Sequence, residues 1–179
     1  HTEQRIAHVS RRLKTFLIEA GVPPKRVTEL VQLYGLTKLN YQPVEVDFTY
    51  EASNMRLGPF HMLHVPGHCA GHVIIRLDDV LFSGDHVLAE ISPHQAPEQL
   101  VPHTGLSHYL HSLDALLEWG QGVRLTLGGH NAPITDLDAR IHAIKEVHTQ
   151  RLNQLLNFFS QPHNVLEASQ ALFGEVHGY

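Results

Sequence analysis

With 179 residues, 42% of them hydrophobic and 17% charged, the chain has material for one substantial core, or one core with a small appendage, and its composition excludes wholesale disorder. A formal net charge of -5 with neutral histidine carries no electrostatic footprint for nucleic acid or an anionic membrane, and no apolar run approaches the roughly 18 residues needed to cross a bilayer. The single cysteine rules out an intrachain disulfide, which permits a reducing compartment without requiring one, and a cytoplasmic location is the expectation.

The stretch from 3 to 20 predicts an amphipathic helix, because Ile6, Val9, Leu13, Phe16 and Leu17 recur at helical spacing and Gly21 with Pro23 ends the run. Pro24 is placed to open a second helix with Val27, Leu30, Val31 and Tyr34 as its buried stripe. From about residue 44 the pattern changes to strands, expected at Val44 to Tyr50, Phe60 to Val65, Val73 to Leu77 and Val80 to Phe82. Asp78-Asp79 suits a tight turn between the last two. Residues 84 to 106 carry Pro93, Pro97, Pro102 and Gly105 and predict a loop able to line a site.

A helix over 107–119 follows, with Leu110, Leu113, Leu116 and Leu117 on one side and Gly120 as its stop. Val123 to Leu127 reads as a short buried strand leading into Gly128-Gly129-His130. Thr135 and Asp138 have the spacing of a capping box ahead of a long helix, about 138 to 160, bearing Ile141, Ile144, Val147, Leu152, Leu155, Leu156 and Phe159. Pro162 breaks it, and Asn164 to Phe173 predicts a short helix stopped by Gly174.

Three short runs carry the chemistry: Val65-Pro66-Gly67-His68-Cys69-Ala70-Gly71-His72, Ser83-Gly84-Asp85-His86, and Gly128-Gly129-His130. Each places an imidazole or a carboxylate after an apolar, strand-like run, and these ligand types suit zinc and related divalent ions. His68 and His72 stand four apart, but Pro66, Gly67 and Gly71 oppose a helix there. A glycine turn at a strand end aims His68 into a cleft, whereas His72 starts the next strand and is expected to support the site or pack behind it. Asp85, at the end of an apolar strand, must be solvated, capped or bound to positive charge. His86 is read as structural and Cys69 as a small buried residue. Sixteen histidines make any single one weak evidence, and nothing in the spacing of His61, His64, His94, His103, His108 or His111 selects one of them.

These runs resemble the later ligand motifs of the metallo-β-lactamase superfamily of hydrolases, in its lactamase-beta-like and glyoxalase II-like branch. There a Pro-Gly-His turn, a Gly-Asp pair and a later Gly-His each deliver one ligand to a dinuclear centre. The resemblance makes His68, Asp85 and His130 the metal ligands, with Asp85 the catalytic residue that bridges both ions and His72 behind them. It implies an α/β fold: part of an αββα sandwich over residues 1–134, and over 135–179 the start of a winged-helix-like helical appendage, truncated at Tyr179. The family's earliest motif, His-x-His-x-Asp-His, does not occur in these 179 residues, and His1-Thr2-Glu3-Gln4 resembles sequence downstream of it. The chain is therefore expected to be a C-terminal fragment that begins inside the domain.

For the parent protein the resemblance implies hydrolysis of an ester, thioester, lactam, lactone or phosphodiester by a hydroxide held between two metal ions. Zinc is expected, with iron or manganese as alternatives at such ligands. Three ligands shared by two ions leave about two contacts each, so this chain alone is expected to bind metal weakly and to be a poor catalyst. A small-molecule substrate, no membrane, and self-association through an uncovered sheet face are expected. The alternative class is a non-catalytic module that binds RNA or protein, its metal residues vestigial.

Overall fold

The computed structural model describes residues 2–37 and 44–174. His1 and the end of the expected appendage, 175–179, lie outside the described residues. The elements in order are α1 (Thr2–Glu19), α2 (Pro24–Thr37), a 3-10 turn (Glu51–Ser53), β1 (Arg56–Leu57), β2 (Phe60–His64), β3 (Val73–Leu77), β4 (Val80–Gly84), α3 (Leu106–Trp119), β5 (Leu125–Gly128), α4 (Leu137–Phe158) and α5 (Val165–Phe173). The chain divides into two compact units, one of residues 46–147 and one of 1–45 with 148–179.

The first of these is an α/β unit built on a mixed five-stranded sheet of order β1-β2-β3-β4-β5. β1 to β4 are antiparallel neighbours and β5 joins β4 in parallel. The β3–β4 hairpin turns at Asp78, whose φ of 51° lies in the left-handed region that aspartate tolerates. The parallel step needs a crossover, and α3 supplies it.

Register sorts the side chains by face, since paired residues share a side. Leu63 and Ile74 pair, as do Arg76 and Leu81, and on this side Val65, Ile74 and Leu81 are buried against helices. The helices present Tyr109, Leu113 and Leu116 from α3 and Leu137, Ile141 and Ile144 from α4, each set spaced i, i+4, i+7 so as to form one stripe. The opposite side carries Phe60, Ile75, Leu77, Val80, Phe82, Leu125 and Leu127, with Phe60 and Phe82 exposed and the others half-buried.

The second unit holds α1, α2, α5 and the rest of α4. Gly21, at φ +88°, turns the chain between α1 and α2, and a Cβ there would lie 2.8 Å from the Asn164 side chain, so glycine is required on both counts. Asn164 caps α5 by accepting from the Glu167 amide, and the Glu167 carboxylate accepts from the Asn164 amide in return.

Two expectations fail. Val44 to Tyr50 is not a strand, and Val44, Val46, Phe48 and Tyr50 are all exposed; the alternation is present, but among the described residues no strand pairs with it. α4 is capped by Asp136, whose Oδ1 accepts from the Ala139 amide, and not by a Thr135–Asp138 box. Among the described residues no helix is long and apolar enough to cross a membrane.

Candidate metal centre

β2, β4 and β5 point the same way, so their carboxyl ends open on one edge of the sheet. After β2 the chain turns through Pro66 and Gly67. Gly67 has φ +143°, and a Cβ on it would stand 2.6 Å from Tyr109 Cα, so only glycine lets this turn lie against α3. His68 follows. β4 ends at Gly84, with φ +51°, and delivers Asp85; β5 ends at Gly128 and delivers Gly129 and His130. The Gly129 amide donates to the Gly84 carbonyl at 2.8 Å, which ties the last two ends together.

The three side chains singled out from the sequence converge. His68 Nε2 lies 3.7 Å from Asp85 Oδ2, and His130 Nε2 lies 3.5 Å from Asp85 Oδ1, so each carboxylate oxygen faces a different imidazole. His130 is 67% exposed and leaves one side of the group open to solvent.

Neighbouring groups fix the chemistry of each ring. His68 Nδ1 donates to the His94 carbonyl at 2.8 Å, so in the neutral ring the Nε2 lone pair faces Asp85. Two acceptors so placed repel unless a proton or a cation lies between them. His72 Nε2 donates to the Ser83 carbonyl at 3.1 Å, and its Nδ1 faces Cys69 Sγ at 3.8 Å. Burial above all lowers the His72 pKa, against the Ser83 bond that raises it, so this ring stands neutral behind the site. His86 is fully buried, its pKa pushed down to about 3 chiefly by desolvation. Among the described residues neither of its ring nitrogens meets a hydrogen-bond partner, a cost of about 1–3 kcal/mol. The Tyr109 hydroxyl donates to its backbone carbonyl, and the two rings meet edge to face.

Divalent ions fit this donor set in part. Two donors at about 2.1 Å from one tetrahedral ion stand about 3.4 Å apart, close to both measured His–Asp separations. Room is kept for the carboxylate as well, since a Cβ on Gly129 would fall 2.4 Å from Asp85 Oδ1. The set is two two-donor pairs sharing one carboxylate. Among the described residues no group of three His, Cys, Asp or Glu side chains forms a ready metal cage.

Cys69 is exposed, contrary to expectation, because it sits on the turn beyond the sheet. Two contributors have no sequence signal of this role: His94, which holds His68 through a backbone carbonyl, and Tyr109, which braces the turn. Gly129 carries one, as part of the Gly128-Gly129 pair that precedes His130.

Residues 6–158 match the family profile of the metallo-beta-lactamase superfamily. Among solved structures, a metallo-beta-lactamase family protein from Thermus thermophilus is 28% identical, with a TM-score of 0.67, over 94% of this chain and 54% of its own. A beta-lactamase domain protein from Burkholderia ambifaria is 20% identical, with a TM-score of 0.56, over 86% of this chain and 43% of its own, a likeness of fold. This chain therefore spans about half the length of both. No curated protein matches it.

Proposed function

The chain belongs to the metallo-beta-lactamase superfamily, and from that premise we propose that His68, Asp85 and His130 are metal ligands of a metal-dependent hydrolase. The observation that carries this reading is the Asp85 carboxylate, which turns one oxygen to each imidazole as a carboxylate bridging two cations would. His68 would hold one ion, His130 the other and Asp85 both. Zinc suits such nitrogen and oxygen donors, and iron or manganese can share them. When bound, the ions polarise a substrate oxygen and bring the pKa of water toward neutrality, the chemistry of ester, thioester, lactam, lactone or phosphodiester hydrolysis.

The protein's own residues supply the positioning. The His94 carbonyl keeps the proton of His68 on Nδ1 and presents Nε2 to the site. His72, neutral and held by the Ser83 carbonyl, packs behind His68 at 6.0 Å between ring centroids. Gly129 leaves space for Asp85. Two protein donors per ion fall short of the three usual at a catalytic zinc, so this chain alone binds metal weakly and is a poor catalyst. We read the end of α4 with α5 as the start of a winged-helix-like appendage to an αββα sandwich, in a cytoplasmic protein acting on a small-molecule substrate.

Equilibrium dialysis against zinc tests the assignment. The wild-type chain is expected to take up zinc weakly, and H68A, D85N and H130A each to lose it. Tight, stoichiometric binding of two ions would refute the two-donor argument, and undiminished uptake in all three variants would remove the ligand assignment.

A further inference from the structure

At the opposite end of the sheet, where β2 begins and β3 ends, Pro59, His61, Arg76, Asp78 and Trp119 line a cleft of about 290 Å³. His61 and Arg76 are cross-strand partners, and Trp119 is the last residue of α3. Arg76 Nε donates to the Asp78 carbonyl at 2.8 Å, and Nη1 donates to the Trp119 carbonyl at 3.0 Å. A guanidinium has five N–H donors in a rigid fork, so three are left, two of them on Nη2. Carbonyls, not carboxylates, meet its charge: among the described residues no carboxylate lies within ion-pair distance of Arg76, and the neighbouring Asp79 is paired with Arg124. The guanidinium carbon stands 6.0 Å from the centroid of the Trp119 ring.

A half-buried cation with donors to spare, beside an indole, is the recognition chemistry of an oxyanion carried on a planar body. We propose that this cleft binds a carboxylate or phosphate group whose attached ring lies along Trp119. The oxyanion accepts from the free Nη1 and Nη2 donors, and the exposed imidazole of His61 is a further polar group on the same wall. The ring buries apolar surface on Trp119 and Pro59. Asp78 lines the same cleft, and its charge opposes an anion there. The cleft lies at the end of the sheet away from His68, Asp85 and His130, so this proposal does not depend on the metal assignment.

Trp119 is the single tryptophan of the chain, so intrinsic fluorescence reports on the cleft directly. The whole chain, kept in chelator, is titrated with benzoate, phenyl phosphate, inorganic phosphate and uncharged benzamide. A saturable change with benzoate or phenyl phosphate, weaker with inorganic phosphate and absent with benzamide, is expected. The tighter of the two ring-bearing anions identifies the group as carboxylate or phosphate. R76Q should weaken binding roughly tenfold or more, the usual effect of losing a charged hydrogen-bond donor, and H68A should leave it unchanged. Because Arg76 also ties two carbonyls, R76Q can disturb the hairpin; D78N keeps both bonds, one to the Asp78 backbone and one to the Trp119 carbonyl, and should tighten binding by removing like charge. No response to either ring-bearing anion, equal binding of benzamide, or weakened binding in D78N would overturn the proposal.

Discussion

Gly129→Ala tests a position where a missing side chain leaves room for a proposed ligand of the candidate metal centre. The added methyl carbon would fall 2.4 Å from Asp85 Oδ1, about 1 Å inside ordinary carbon–oxygen contact. Gly129 does not have positive φ, so alanine brings no backbone strain of its own, and the conflict is with the carboxylate alone. Asp85 is one-third exposed and can swing toward solvent, so the folding cost should stay below the roughly 1–3 kcal/mol of a true core overpacking. The displacement nonetheless carries Oδ1 away from His130 Nε2, now 3.5 Å distant. Metal affinity should fall about 10- to 100-fold, as for other losses of ligand support. Competition with a chromophoric zinc chelator reads the affinity, and urea unfolding reads the stability. Gly71→Ala is the control: it lies in the same region, has no neighbour within 4 Å of its built Cβ, and should change neither. Wild-type zinc affinity in G129A, or an equal loss in G71A, would refute the reasoning.

His86 offers a pH test in metal-free buffer. The unfolded chain takes up its proton near 6.5, but the folded chain resists until about pH 3, so stability should fall as pH drops through that window, by at most roughly 1.4 kcal/mol per unit. Urea titrations at stepped pH should show a shallower slope for His86→Leu than for wild type; equal slopes would show that the buried ring is not the cause. The sheet face bearing Phe60 and Phe82 should drive self-association of this chain, and Phe82→Lys should reduce it. Light scattering that finds a clean monomer for the wild type at high concentration would contradict this.

Much of the molecule was legible because local pattern and tertiary demand agree. The stripes Leu113–Leu116 and Ile141–Ile144 mark the buried sides of α3 and α4, and the alternation in β2 to β4 matches their pairing. Val44 to Tyr50 alternates equally well and forms no strand, since a strand exists only with a partner and the residues themselves do not record one. His68, Asp85 and His130 could be found because each follows a glycine at a strand end, and the common direction of β2, β4 and β5 then brings them to one rim. The hold of His94 on His68 could not, for a backbone carbonyl is the same on any residue. Asp136 was missed at the start of α4 because neighbouring Thr135 satisfies the same composition rule one place earlier.

The turn that carries His68 is riveted where most surface loops are free. Ser112 Oγ donates to the Pro66 carbonyl at 2.7 Å, the Gly105 amide donates to the Gly67 carbonyl at 3.0 Å, and Gly67 itself rests on the backbone of Tyr109. An engineer who lengthens or grafts residues 65–68 would therefore unseat α3 as well as the imidazole.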